Sequence, residues 1–251
     1  MGRLTVVTLT LNEERNIEAC LEGVRWADQI IVVDSGSTDR TVDLARRFTQ
    51  EVLSVSWKGY GHARNLALQH AAGDWVLWLD ADERVPPELS AEIREIIHNR
   101  EAAYDGYEVA RRAYFLGKWI RHAGWYPARV TRLFRLGSAH FSETRVHERL
   151  LFTGSVGRLH HDLLHYTDDG LEQYFMKFNR YTTLAAQDMH AAGKRAGLPD
   201  LLARPPFMFM KMYVARLGFL DGLHGFLLSC LSSGYVFVKY AKLWELSRPS
   251  S

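Results

Sequence analysis

Leu4–Glu14 reads LTVVTLTLNEE, a run of Leu, Val and Thr that stops on Asn12 and two carboxylates. A short apolar, β-branched run with polar residues at its end predicts a buried strand. The unit recurs at Gln29–Asp34 (QIIVVD), Glu51–Ser56 (EVLSVS) and Asp74–Leu79 (DWVLWL). Between these runs, residues 14–24, 38–48 and 60–72 carry apolar side chains at helical spacing. Ser37 or Thr38 is placed to cap the second helix, with Asp39 in its first turn, and Gly73 follows the third. Short strands alternating with helices predict an α/β fold, a mostly parallel sheet with helices on both faces.

Composition agrees with one well-filled globular chain. The 251 residues are 47% hydrophobic and 24% charged, which excludes a disordered or collagen-like polymer. A net charge of +2 leaves no electrostatic footprint for nucleic acid. Cys20 and Cys230 lie far apart in apolar surroundings, so neither a disulfide framework nor a cysteine zinc site is expected, and a reducing compartment fits better. The apolar start is too short for an export signal. Residues 226–238 (FLLSCLSSGYVFV) fall short of the roughly 20 residues a spanning helix needs.

Beyond Pro86-Pro87 the reading gives one more helix over 88–98, then irregular strands and loops over 105–165 rich in aromatic, Arg and His residues. From Gly170 the pattern is helical, with breaks expected near Gly197-Leu198-Pro199 and at Pro205-Pro206. Residues 204–251 hold six Lys or Arg against Asp221 and Glu245, set among Phe, Met and Leu. That mixture suits helices lying on an anionic membrane surface; the alternative is a helical appendage or a dimer interface.

Ligands of parallel α/β sheets bind beyond the carboxyl ends of the strands. Here the first strand ends in Asn12-Glu13, the second in Asp34-Ser-Gly-Ser-Thr-Asp39 and the fourth in Asp80-Ala-Asp82-Glu83. Carboxylates crowded on one rim repel unless a cation or ribose hydroxyls sit among them. No G-x-G-x-x-G follows the first strand and no Walker sequence is present, so dinucleotide and P-loop sites are unsupported. What remains is a divalent metal, Mg or Mn, on Asp80 and Asp82 bridging a diphosphate, with Lys58 and Arg64 offsetting further phosphate charge.

The residues T-L-N-E-E, V-V-D-S-G-S-T-D, G-H-A-R-N (Gly61–Asn65) and W-L-D-A-D-E (Trp78–Glu83), in this order, resemble family 2 inverting glycosyltransferases. The resemblance implies the GT-A, Rossmann-like fold over residues 1–168, with a nucleotide-sugar half (1–100) and an acceptor half (101–168). It leaves 169–251 as a C-terminal helical extension, a possible membrane contact. G-W-Y-P (Gly124–Pro127), R-L-F-R (Arg132–Arg135), V-H-E (Val146–Glu148), L-L-H-Y (Leu163–Tyr166) and G-F-L-D-G (Gly218–Gly222) are similar to the lipopolysaccharide core β-1,4-glucosyltransferase branch.

That branch implies transfer of glucose from a UDP-sugar to a lipid-linked inner-core saccharide, by a cytoplasmic enzyme peripheral on the inner face of the bacterial inner membrane. Carried over, Asp34 meets the uracil and Asp80 the ribose or sugar, with Thr8, Glu13, Lys58 and Arg64 also on the nucleotide-sugar. Asp82 and His165 hold the metal. Glu148 is the catalytic base, in a His-Glu where the family commonly has Glu-Asp, which makes Glu143 its nearest rival. Trp125, Tyr126, Arg132 and Arg135 face the acceptor.

Two other functions suit parts of the pattern. A haloacid-type phosphatase uses an Asp-x-Asp pair, but after its first strand, whereas here the pair follows the fourth. A non-catalytic membrane-surface adaptor would use the basic C-terminal helices and leave the acidic rim without a purpose.

Overall fold

A computed structural model describes residues 2–55, 60–99, 102–142, 150–168 and 170–248. The chain divides into two compact units, Met1–Arg111 with Arg129–His165, and Arg112–Ala128 with Tyr166–Ser251.

In the first unit β1 (Leu4–Thr10) lies between two parallel neighbours, β2 (Gln29–Asp34) and β4 (Trp75–Asp80), with β3 (Val52–Ser54) outside β2. Thr10 stands opposite Asp34 and Leu9 opposite Asp80, so the strand ends that carry acids emerge along one edge. Successive side chains of β1 serve opposite faces. Leu4 and Val6 pack with Ile17, Leu21, Leu89 and Ile93, while Val7 packs with Ala63, Ala67, Trp78 and Phe134. Each such fully buried aliphatic side chain contributes about 1.5–3 kcal/mol. A one-residue slip would exchange the two faces, which fixes the register.

Helices α1 (Ile17–Glu22), α3 (Tyr60–His70) and α4 (Pro87–His98) cover those faces, with α2 (Thr41–Ala45) beside α1. Both α1 and α2 are shorter than their sequence pattern. Residues 14–16 and 37–40, expected to open or cap them, are spent largely on bonds between the two loops. Ser37 Oγ accepts the Asn12 N–H at 2.8 Å, and α2 begins after Arg40 with no side-chain cap.

Past this parallel run the sheet is mixed. Past β4 runs antiparallel β8 (Ala128–Arg135), then β6 (Gly106–Phe115), β12 (Leu163–Asp168) and the short β5 (Glu83–Arg84). β5 turns back directly after β4 and pairs antiparallel with β12, placing His165 opposite Glu83. β11 (Val156–Arg158) pairs with β6, and β9 (Ala139–Phe141) forms a hairpin with β10 (Leu150–Phe152).

In the second unit the end of β6 pairs with β7 (Lys118–Trp119), and the chain continues into α5 (Leu171–Ala191), α6 (Leu198–Met210) and α7 (Gly222–Leu246). Asp221, buried between α6 and α7 in sequence, accepts the Arg121 and His122 N–H groups at 3.2 and 2.8 Å. The sequence break expected at Pro205-Pro206 does not occur, and α6 runs through both prolines. Pro205 is buried, and its carbonyl accepts the Ser233 hydroxyl of α7 at 2.8 Å, so packing against α7 overrides local propensity. The break falls instead at a π-helical turn, Lys211–Ala215, followed by left-handed Leu217 (φ 56°). Among the described residues no single helix is long and apolar enough to cross a membrane; Leu198–Ala215 and Gly218–Leu246, bent by 71°, pass that test only as a pair.

One side chain ties α3 to the β9 hairpin. Asn65 donates to the Phe141 carbonyl and accepts the Phe141 N–H, each at 2.8 Å. Asn65→Ala leaves both backbone groups without that partner and is expected to lower the unfolding free energy by about 1–3 kcal/mol. Urea denaturation measures this, and an unchanged midpoint contradicts it.

Candidate active site

Three loops build the carboxyl edge of the sheet. At the end of β2 the Asp34 carboxylate, itself buried, accepts the N–H groups of Gly36 and Ser37 at 3.0 Å. Gly36 takes φ +100°, a conformation that favours glycine. This loop is laced to the one after β1. Asn12 Oδ1 accepts the Thr38 N–H, the Thr41 hydroxyl accepts the Glu13 N–H, and Asp39 accepts the Glu14 N–H. Burial opposes ionisation of Asp39, but the Thr41 hydroxyl, the Thr41 N–H and the Glu14 N–H all donate to its carboxylate and hold it below the usual range. Glu13 turns inward and accepts from the Asn16 amide at 2.8 Å, at the start of α1.

The third loop, after β4, carries the densest charge. One nitrogen of Arg132, Nη2, donates to both Asp80 Oδ2 and Glu83 Oε1, the latter at 2.6 Å. Glu83 is fully buried, and its second oxygen accepts the Asp80 N–H at 3.0 Å, closing the turn. Burial pushes the Glu83 carboxyl above the usual carboxylate range; Arg132 pulls against this and the Asp80 charge adds to it. For Asp80 burial also opposes ionisation, yet Arg132 and then Arg64 overcome it and hold the carboxyl at about 2. Arg64 Nη2 is 3.9 Å from Asp80 Oδ1, its guanidinium seated over the Trp78 and Phe141 rings at 5.0 and 4.9 Å. Arg84 braces the turn through the Ala81 and Glu83 carbonyls and reaches Asn16 of the first loop, all at 2.9 Å.

Asp82 has a different partner. Its Oδ2 lies 3.4 Å from His165 Nε2, both side chains largely buried, brought together by the pairing of β5 with β12. Among the described residues no three His, Cys, Asp or Glu side chains converge as a complete metal cage. One carboxylate and one imidazole nevertheless fit a Mg²⁺ or Mn²⁺ site of the kind that takes one or two protein ligands and completes its shell with substrate phosphates and water. Cys20 is no ligand here. Burial pushes its thiol up to about 12, and it donates to the Asp80 carbonyl at 3.6 Å.

The structure thus gathers Asp80, Asp82, His165 and Arg64, with Asp34 and Glu13 on adjoining loops. Thr8 is buried on β1 against the Cys20 thiol. Arg132, read from sequence as an acceptor residue, is buried with its charge engaged by Asp80 and Glu83. Arg135 sits at the other end of β8, opposite Trp75 at the start of β4, and stacks on that ring at 4.6 Å. It is thus roughly 16 Å along the strand from the acidic edge. Trp125 and Tyr126 belong to the second unit, edge-on to Phe115 at 6.1 Å and to Trp119 at 5.4 Å. Lys58, Glu143 and Glu148 lie outside the described residues. Glu83 carries no role in the sequence reading; its signal is its place as the last residue of W-L-D-A-D-E, three after Asp80.

A half-parallel sheet with its acidic groups gathered beyond β1, β2 and β4 is the arrangement of a GT-A glycosyltransferase. The mannosyltransferase PcManGT from Pyrobaculum calidifontis, solved with GDP-Man and Mn²⁺, shares this fold at TM-score 0.55 and 18% identity, over 99% of this chain and 88% of its own. The family model of glycosyl transferase family 2 matches residues 5–149. The lipopolysaccharide core biosynthesis glycosyltransferase LpsC of Rhizobium meliloti is 31% identical over 96% of this chain and 92% of its own length. An uncharacterized glycosyltransferase, RP128, of Rickettsia prowazekii is 30% identical over the whole chain and 89% of its own length. The chain belongs to glycosyl transferase family 2.

Removing one partner of a buried ion pair leaves the other charge uncompensated. Arg132→Met is therefore expected to cost about 3–5 kcal/mol of stability. Adding Glu83→Gln, which removes a buried negative charge, is expected to recover part of that loss. Urea unfolding of the single and double variants checks both statements, and an Arg132→Met protein as stable as wild type contradicts them.

Proposed function

We propose that this chain transfers a hexose, glucose by resemblance, from a UDP-sugar to a lipid-linked saccharide of the lipopolysaccharide inner core, with inversion at the anomeric carbon. The observation that carries the reading is the pairing of Asp82 with His165 beside an Asp80 already neutralised by Arg132 and Arg64. Such an edge offers donors for a cation, and two arginines beside Asp80 offset part of its negative charge on the side where a diphosphate would lie. The kinship with LpsC supports the class of acceptor. For such an acceptor the proposed location is the cytoplasmic face of the inner membrane, with the enzyme there as a peripheral protein.

In this reading the loop around Asp34 receives the uracil and Asp80 the ribose or sugar. Asp82 and His165 hold a divalent cation, which when bound stabilises the negative charge of the departing diphosphate. Arg64, fixed over two aromatic rings, adds a cation on the same side, and Lys58 is assigned the same task. Glu148 takes the proton from the acceptor hydroxyl as its oxygen bonds to the anomeric carbon and the bond to the diphosphate breaks. One displacement turns an α-linked donor into a β-linked product.

In thermal unfolding, uridine nucleotides with Mg²⁺ or Mn²⁺ are expected to stabilise the protein more than adenine or guanine nucleotides, and chelation is expected to remove most of the effect. Asp34→Ala should weaken the uridine response without abolishing it. Equal shifts for all bases, or indifference to chelator, contradict the donor assignment. Glu148→Gln keeps size and polarity, so turnover is expected to fall about 10²–10⁴-fold with donor affinity unchanged. An α-linked product by NMR, or near wild-type turnover of Glu148→Gln, overturns that role.

A further inference from the structure

The turn between α6 and α7 forms an elbow, the π-helical Lys211–Ala215 followed by the 3-10 turn Gly218–Asp221. Apolar side chains are exposed on both of its arms. On the α6 arm Phe207 and Met210, three residues apart, share one face of the helix, and Val214 and Leu217 are exposed on the turn that follows. Phe207 is 69% exposed. On the α7 arm Leu223 and Phe226 share a face in the same way, Leu220 is exposed on the 3-10 turn before it, and Leu223 is 67% exposed. Single exposed apolar residues are ordinary, but eight large ones exposed within residues 207–226 are a concentration of the kind that marks an interaction site.

The elbow is built to keep its shape. Tyr213 stacks on Phe209 at 5.2 Å and meets Phe226 at 5.7 Å and Phe219 at 6.2 Å, joining the arms through one ring. Backbone meets backbone beneath it, since a Cβ on Gly225 would lie 1.9 Å from the Gly218 carbonyl oxygen. Charge is one-sided. Between Asp200 and Glu245 the chain has one acidic residue, Asp221, and it is buried against the loop at 121–122. Lys211 and Arg216 are both exposed on the elbow itself.

We infer that residues 207–226 form a wedge that seats in the interface of an anionic lipid bilayer. These apolar side chains would enter the headgroup and upper acyl region, to a depth of about 5–10 Å, with Lys211 and Arg216 at the level of the lipid phosphates. Rigid apolar side chains flanked by cations, with no exposed carboxylate, complement that surface. A second copy is a poorer occupant, because a two-fold contact through this segment would bring two cationic, acid-free surfaces together with no exposed carboxylate between Asp200 and Glu245 to pair with them. The inference adds to the membrane part of the proposed function the segment that makes contact. It does not depend on the transfer chemistry.

Sedimentation of the full chain with phosphatidylcholine vesicles, with and without phosphatidylglycerol, tests it. Wild type is expected to bind the anionic vesicles, and Leu220→Asp with Leu223→Asp to weaken partitioning by about ten- to a hundredfold. Lys211→Glu with Arg216→Glu should lose the preference for phosphatidylglycerol. Met176→Asp, at an exposed apolar position on α5, should bind as wild type. Circular dichroism and stabilisation by uridine nucleotides, read without lipid, separate loss of the wedge from loss of fold or of donor binding. Binding by the elbow variant equal to wild type, no binding by wild type, or a wild-type dimer that the elbow variant dissociates would each overturn the inference.

Discussion

The Arg132 guanidinium, shared between Asp80 and fully buried Glu83, is the interaction on which the acidic edge depends. Two carboxylates three residues apart at the end of one strand repel in a low-dielectric setting. A single cation between them turns that repulsion into a fixed turn, with Glu83 also holding the Asp80 N–H. Buried pairs of this kind contribute little net stability, but losing one partner is costly. The geometry that results leaves Asp82 free of Arg132 and turned toward His165.

The rest of the edge follows a similar rule, with loop residues spending their polar groups on one another. Asn12, Thr38, Asp39 and Thr41 stitch the loops after β1 and β2, and Arg84 carries the bracing on to the loop after β4 through Asn16. The consequence is two short helices, α1 and α2, and a strand edge whose carboxylates are held in place before any ligand arrives. Under the proposed function, charge preorganised in this way would need little rearrangement to receive a diphosphate.

Much of this was legible in the sequence, for physical reasons. β1, β2 and β4 are runs of Val, Leu, Ile and Trp that only a sheet covered on both faces can bury, and their polar terminators mark the edge where ligands bind. Asp82 and His165 were nameable by resemblance, and the pairing of β5 with β12 is what brings them together. The place of Arg132 was not legible. Linear spacing says nothing of β8 running antiparallel beside β4, so an Arg among many in a variable region read as an acceptor contact. Pro205-Pro206 misled for a related reason. Local propensity marks a helix break there, but a buried contact with α7 decides the outcome.

A two-donor metal site predicts that cation and nucleotide bind together. Electron paramagnetic resonance of free Mn²⁺, titrated with the protein in the presence and absence of UDP, measures this directly. Mn²⁺ is expected to bind weakly to the protein alone and about tenfold or more tightly once UDP supplies phosphate oxygens, with Asp82→Asn reduced to the affinity of UDP itself. Tight Mn²⁺ binding without nucleotide, or an Asp82→Asn protein indistinguishable from wild type, would contradict the assignment of Asp82 and His165 as the protein's share of the site.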